Sequence, residues 1–393
     1  MKKKILIVDD SALMRRVLCD IINSDDRFEV AEYAIDGADG FKKICSKTYD
    51  AVVLDVYMPK MTGLEMLKEM QKSKVYANVL MASTTTGEGA KETLMALELG
   101  AVDFIQKPEN VADARHDDFK KRFLELLDVV CKASSAHMAI AGQQSASSIR
   151  KGTTFVSRYD VNFHTKPGMF TDPKAAPRAG GTAEPKKEST AAGSTALPKV
   201  AGRKIVAIAS STGGPKALQE VIPKLPGNLK APVLLVQHMP KGFTASLASR
   251  LNELSRVNVM EAKEGQAIAN GNVYIAPGGV HLKAGKSAGG IKLHLTDEPA
   301  REGVKPCANY MFESLVDSGY DEVVCVVLTG MGCDGTAGIE ELKKKQKVRV
   351  IAQNEESCTV YGMPRSIVDG GLADDVVPLS QVADQIIKNV GVL

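Results

Sequence analysis

Apolar positions along the chain form two series of short unbroken runs alternating with helically spaced stretches, and between the two series the pattern disappears. In the first series Ile5–Val8, Val30–Ala34, Ala51–Leu54, Val79–Ala82 and Val102–Ile105 predict strands. Met14–Ile22, Leu64–Gln71, Ala90–Leu99 and Phe119–Cys131 predict helices. Continuous Val/Ile/Leu runs alternating with helices imply parallel strands covered on both faces. From about Ser134 to Gly202, Ala, Ser, Thr, Gly, Pro and Lys dominate, as in Ala175–Gly181. Such a stretch buries too little apolar surface to offset its conformational entropy, which predicts a flexible linker. Its aromatics, Phe155, Tyr159, Phe163 and Phe170, read as scattered rather than as a docking segment. The rhythm returns at Lys204 with strands over Ile205–Ala209, Val233–Gln237, Val273–Ala276, Val323–Leu328 and Val348–Ala352. Helices are expected over Pro215–Leu225, Phe243–Leu254, Pro306–Ser318, Ala337–Lys345 and Leu379–Val390. The expected organisation is an α/β domain over residues 1–133, a linker over 134–203 and a doubly wound, mainly parallel α/β domain over 204–393. Ligand sites in both belong at the carboxyl ends of strands.

Composition narrows the class. With 44% hydrophobic and 25% charged residues the chain is of ordinary globular make-up, and 393 residues suit two domains. A net charge of +3 gives no push toward nucleic acid, and the second half has neither the helical module nor the basic stripe of a DNA reader. No apolar run approaches the roughly 18 residues of a membrane span. Met1–Lys4 before Ile5–Val8 imitates an export signal, but the run is short and ends in Asp9 and Asp10, so a cytoplasmic location is expected. The seven cysteines are odd in number and lack a C-x-x-C pair, which reads as reduced thiols rather than a zinc site.

In the first domain Asp9 and Asp10 close the first strand, Asp55 the third, Ser83 and Thr84 the fourth, and Lys107 follows the fifth. These ends converge on one edge of a parallel sheet. Crowded carboxylates repel unless a hard cation neutralises them, and an all-oxygen set suits Mg²⁺. Any one of these aspartates alone reads as a strand-end or cap residue; Asp-Asp, Asp and Lys-Pro together at the ends of strands 1, 3 and 5 do not. Residues 3 to about 130 resemble the receiver domains of response regulators, which implies a flavodoxin-like (βα)5 fold. The resemblance further implies phosphorylation at Asp55, Mg²⁺ held by Asp9, Asp10, Asp55 and the Tyr57 backbone carbonyl, and Ser83 as switch hydroxyl. It also implies Lys107 as the phosphoryl contact and a cis Lys107–Pro108 bond. Thr84 stays open as an alternative to Ser83. Tyr57 and Thr62 depart from the acidic residues that related receivers carry there.

In the second domain the first strand runs into Ala209-Ser210-Ser211-Thr212-Gly213-Gly214-Pro215. Small residues permit a sharp turn, Pro215 suits a first helical turn, and the helix N-terminus beside it favours developing negative charge. Alone, the turn divides evenly between a phosphate cradle, a nucleophile turn and a plain cap. Gln237-His238-Met239-Pro240 and Thr329-Gly330-Met331-Gly332-Cys333-Asp334-Gly335 then supply a histidine and an aspartate at two further strand ends. A hydroxyl, an imidazole and a carboxylate are the parts of an acyl-transfer site. His281 is a rival base for which a structural hydrogen-bonding role is favoured. His294 reads as an edge residue, and Cys333 lacks a base of its own.

These stretches, with Ile275–His281 and Tyr361–Arg365, resemble in order and content the chemotaxis protein-glutamate methylesterases, the CheB family, over 204 to about 390. The resemblance implies Ser211 as nucleophile, His238 as base and Asp334 as its partner. Thr212 and the Met331 backbone N–H then line the oxyanion site, and Ser210 ends the strand. It implies hydrolysis of glutamate γ-methyl esters, and deamidation of glutamines, on the cytoplasmic part of methyl-accepting chemotaxis receptors. A chemotaxis histidine kinase is implied as phosphodonor, with no cofactor in the esterase domain, a monomer, and a receiver that covers the cleft until phosphorylated. A binding-only adaptor is the competing reading; it predicts a missing Ser, His or Asp, and all three residues are present.

Overall fold

The computed structural model describes residues 1–83, 87–108, 117–133 and 202–392. Most of the stretch read as a linker, with its four aromatics, lies outside the described residues, as does Thr84.

In the first domain five strands, β1 (Lys3–Val8), β2 (Phe28–Ala34), β3 (Ala51–Asp55), β4 (Val79–Ser83) and β5 (Asp103–Gln106), alternate with five helices. These are α1 (Ala12–Asn23), α2 (Gly37–Ser46), α3 (Gly63–Ser73), α4 (Gly87–Glu98) and α5 (Asp117–Lys132). The strand order is β2-β1-β3-β4-β5, with every pairing parallel. This is the flavodoxin-like order, so the ends of β1 and β3 flank a topological switch point. Strands β3 and β4 are buried along their whole length because helices cover both faces. Thr62 N-caps α3 in a reciprocal capping box with Glu65, so its hydroxyl does what a carboxylate does elsewhere.

The second domain carries a seven-stranded parallel sheet ordered β14-β13-β12-β6-β7-β9-β8. Its strands are β6 (Lys204–Ser210), β7 (Val233–Gln237), β8 (Asn258–Glu261), β9 (Asn272–Ile275), β12 (Glu322–Val327), β13 (Lys347–Gln353) and β14 (Asp375–Val377). An antiparallel hairpin of β10 (His281–Ser287) and β11 (Gly290–Thr296) lies apart from it. The helices are α6 (Gly214–Val221), α7 (Phe243–Leu254), α8 (Ala308–Ser314), α9 (Thr336–Lys345), α10 (Met363–Asp369) and α11 (Leu379–Val390). Strand β6 lies between β12 and β7, so the chain winds outward from it in both directions. The carboxyl ends of these three adjacent strands are where the doubly wound fold opens a crevice.

The two domains share a hydrophobic cluster. Leu94, Leu97 and Phe104 of the first join Ala217, Phe243 and Leu247 of the second. Phe104 stacks on Phe243 with ring centroids 4.7 Å apart. Glu98 of α4 receives Arg250 of α7 through two bonds, Nε at 2.7 Å and Nη2 at 3.1 Å. Apolar burial dominates this contact, because an exposed ion pair contributes less than about 1 kcal/mol.

One expectation is corrected. Lys107–Pro108 is trans, and the cis bond among the described residues is Lys305–Pro306. Lys107 reaches Asp9 and Asp55 from the trans arrangement, so the site does not require the rarer isomer.

Candidate active site

In the first domain one ligand atom from each of Asp9, Asp10 and Asp55 lies within 4.8 Å of the others. Lys107 Nζ bridges Asp9 and Asp55 at 2.6 Å each. Burial pushes the Asp55 carboxyl above its ordinary range, and Lys107 only partly offsets this. Three carboxylates against one ammonium leave a net negative, all-oxygen site, which fits a hard divalent cation. Ser83, fully buried at the end of β4, accepts a hydrogen bond from Thr93 Oγ1 at 2.7 Å. Tyr57 is exposed on the loop after Asp55.

In the second domain Ser210 ends β6 and donates to Gln237 Oε1 (2.7 Å), so this hydroxyl is consumed structurally. The chain then turns through Ser211 and Thr212 to Gly213, whose φ of +76° favours glycine. A Cβ on Gly214 would stand 2.0 Å from Gln237 Oε1, so only glycine lets α6 start there. Gln237 Nε2 donates to Ser211 O (2.9 Å), and His238 N donates to Ser210 O (3.1 Å). Ser211 N in turn donates to Thr329 O (3.0 Å), and Thr329 Oγ1 donates to Thr212 O (3.0 Å). These bonds knit the backbone of the serine turn to β7 and to the loop after β12, and Ser211 and His238 emerge from adjacent strands.

His238 Nε2 lies 2.7 Å from Asp334 Oδ2. Asp334 is buried and takes three more donors from the start of α8. These are Ala308 N (2.6 Å) on Oδ2, with Asn309 N (2.9 Å) and Cys307 Sγ (3.0 Å) on Oδ1. Burial acts to raise its pKa, but the His238 bond and these donors outweigh it and leave the carboxyl below its usual range. A carboxylate so held accepts Nε2–H, which leaves Nδ1 as the basic nitrogen of a neutral imidazole. Among the described residues no hydrogen bond joins Ser211 Oγ to His238, although both line one cavity of about 640 Å³ with Thr212 and Met331. The backbone N–H groups of Thr212 and Met331 donate to no partner among the described residues. Such free donors suit an oxyanion.

The rival groups are otherwise engaged. His281, fully buried at the start of β10, accepts from Cys307 N at Nδ1 (3.1 Å) and turns Nε2 to Glu298 O and Pro299 O (3.2 Å each). Its bond to Cys307 N holds the start of α8, which delivers Cys307 and Ala308 to Asp334. His294 of the hairpin pairs with Glu264 near the surface. Cys333 Sγ donates to Glu302 Oε2 (3.2 Å), a bond that, with burial, pushes its thiol up and away from thiolate chemistry. All seven cysteines are free thiols.

The cavity's other wall is the first domain, with Asp103, Phe104, Lys121 and Arg122. Burial pushes the Asp103 carboxyl up, and a hydrogen bond with Thr212 acts against this. Sequence reading did not mark Gln237, Cys307, Asn309, Asp103 or Phe104. The donors around Asp334 come from Cys307, Ala308 and Asn309, 27, 26 and 25 positions away, a pairing that no local pattern signals.

Fold and site together define a response regulator whose receiver is joined to an α/β catalytic domain. A family model described as response regulator receiver domain matches residues 5–116, and one described as CheB methylesterase matches 206–386. The protein-glutamate methylesterase/protein-glutamine glutaminase of Geobacillus kaustophilus is 38% identical over 388 residues, 99% of each chain. That of Bacillus subtilis is 38% identical over 98% of this chain and 97% of its own, and that of Pyrococcus horikoshii is 37% identical over 100% and 95%. The solved CheB methylesterase catalytic domain of Thermotoga maritima is 41% identical, spanning 47% of this chain and 98% of its own with a TM-score of 0.46. The chain belongs to the protein-glutamate methylesterase/protein-glutamine glutaminase family.

Proposed function

We propose that the chain hydrolyses glutamate γ-methyl esters, and deamidates glutamines, on chemotaxis receptors, with Ser211 as nucleophile, His238 as base and Asp334 as the group that orients it. The observation that carries this reading is the 2.7 Å contact from His238 Nε2 to a buried Asp334, beside the serine turn that shares its cavity. His238 Nδ1 takes the Ser211 proton as Oγ adds to the ester carbonyl, and the imidazolium is stabilised by Asp334. The free N–H groups of Thr212 and Met331 receive the oxyanion. The imidazolium gives its proton to the leaving oxygen, which departs as methanol, or to the amide nitrogen of a glutamine, which departs as ammonia, and water repeats the sequence on the acyl-serine to release glutamate.

Regulation follows from the receiver's position over the cavity. Strand β5 starts with Asp103 and Phe104, at the cavity and the Phe243 stack, and is followed directly by Lys107 at Asp55. A phosphoryl group on Asp55, supplied by a chemotaxis histidine kinase, would draw Lys107 and Ser83 toward it and rebalance β4 and β5 against α7. Asp9, Asp10 and Asp55, with the Tyr57 carbonyl, would hold Mg²⁺, which offsets the charge of the incoming phosphoryl oxygens. No helix among the described residues is long and apolar enough to cross a membrane, consistent with action from the cytoplasm on a receptor's exposed helices.

Methanol release from a receptor peptide bearing a glutamyl γ-methyl ester tests the reading. Release is expected to rise with a small phosphodonor and Mg²⁺, and the rise to vanish in Asp55→Asn. A rise of the same size in Asp55→Asn, or no methanol from the wild type, contradicts it.

A further inference from the structure

Resting on that reading, we infer that Glu302 is a specificity-determining residue that keeps the product carboxylate out of the site while leaving the neutral ester or amide unopposed. Among the described residues, Glu302 is the only carboxylate that the catalytic domain contributes to the wall of the cavity holding Ser211 and His238. The other charged groups on that wall, Asp103, Asp118, Lys121, Arg122 and Glu125, belong to the receiver, and leave the cleft when the receiver does.

The side chain is placed rather than merely present. Glu302 and Gly303 form the centre of a tight turn, with φ of +55° and +75°, closed by Val304 N donating to Arg301 O at 3.1 Å. A glutamate adopts that left-handed conformation rarely, and its persistence means that surrounding contacts over-determine it. Those contacts are specific: Oε1 accepts from Asn309 Nδ2 at 2.8 Å and Oε2 from Cys333 Sγ at 3.2 Å. Asn309 is fully buried and its own N–H donates to Asp334 at 2.9 Å. Three successive hydrogen bonds therefore tie Glu302 to His238 through Asn309 and Asp334. Among the described residues Glu302 has no ion-pair partner at contact distance, and Arg301 acts on it only from farther off. Its neighbours are engaged elsewhere, Arg301 with Glu313 and Lys305 with Asp297, at 2.6 Å each.

The charge balance of the reaction gives this arrangement a use. Substrate, Ser211 and neutral His238 carry no net charge between them. In the transition state the imidazolium and the oxyanion cancel in sum, so a third charge nearby has little net leverage. After hydrolysis the bound γ-carboxylate is an uncompensated anion, and only then does Glu302 oppose what the site holds. A unit charge roughly 10 Å away through an effective dielectric of about 20 shifts binding on the order of tenfold.

The test uses the full chain, activated with a small phosphodonor and Mg²⁺, and methanol release from a soluble peptide ester. The competitors are the same peptide as its free γ-carboxylate and as a neutral γ-dimethylamide. In Glu302→Gln the free acid is expected to inhibit on the order of tenfold more tightly relative to the neutral competitor, a ratio that is independent of any change in the variant's own turnover. The tightening is expected to shrink as salt rises, and Glu302→Asp to retain the wild-type exclusion. Equal inhibition by the free acid in wild type and Glu302→Gln overturns the inference, as does equal tightening of acid and amide, which would reveal a change of shape. Absence of methanol from the wild type is a different failure, since it removes the hydrolase reading itself.

Discussion

Ser211→Ala is expected to lower methanol release by a factor on the order of 10⁴ to 10⁶, the cost of losing a nucleophile from a triad whose members act as a unit. The loss falls on turnover because the alanine leaves the turn intact. Ser211 is held by its backbone, through Thr329 O and Gln237 Nε2, and no hydrogen bond of its hydroxyl supports the fold among the described residues. The fold and the phosphorylation of Asp55 are therefore expected to be unaffected, which steady-state methanol release, circular dichroism and phosphate incorporation would check together. Residual turnover within tenfold of wild type would remove Ser211 from the nucleophile's role.

Asp334→Asn is expected to lower turnover by about 10⁴, by fixing the wrong His238 tautomer, and to cost stability as well. Its two oxygens receive His238 Nε2, Ala308 N, Asn309 N and Cys307 Sγ. An amide turns one of those acceptor sites into a donor facing donors, and a buried polar group left unpaired costs about 1–3 kcal/mol. The pH dependence has a definite sign. The Asp334 pKa is lowered in the folded state, so its contribution is fully present above the unfolded carboxylate value of about 3.9. It is lost as pH falls through the folded value. Wild-type stability is expected to decline through that acid window by more than the variant's does, as thermal midpoints at stepped pH would record. Parallel declines would contradict the assignment of the lowered pKa to Asp334.

The parts of the structure legible in the sequence were those fixed by local pattern. Helices α7 and α11 occupy the stretches that apolar periodicity predicts, Phe243–Leu254 and Leu379–Val390. The ten predicted strands are all present, eight of them interior to a parallel sheet, where strands are continuous apolar runs. Helix α2 escapes the sequence pattern, since Gly37 and Gly40 in its first turn oppose a helix, and it stands on the Asp36 cap. Helix α6 stops at Val221, before a 3₁₀ turn that contains Pro223, rather than continuing to Leu225. Strand β14, three residues at a sheet edge, offers too little pattern to read.

The site divides in the same way. Ser211, His238 and Asp334 were named because small-residue loops follow apolar runs, and Asp9, Asp10 and Asp55 because acids end them. The groups that support them were not, because their roles exist only across long separations. Cys307 meets Asp334 across 27 residues and Glu302 meets Cys333 across 31. Nothing local distinguishes such a cysteine or glutamate from one on an ordinary surface. His281 illustrates the converse: its motif placed it near the site, and only its bonds to Cys307 N and to two carbonyls assign it a structural part.

The most direct measurement of the central claim is to label the full chain with a serine-directed fluorophosphonate, before and after activation with a small phosphodonor and Mg²⁺, and to map the adduct by mass spectrometry. The account predicts modification at Ser211, faster after activation and absent in His238→Ala. An adduct at Ser210, or no adduct in a chain that still releases methanol, would contradict it.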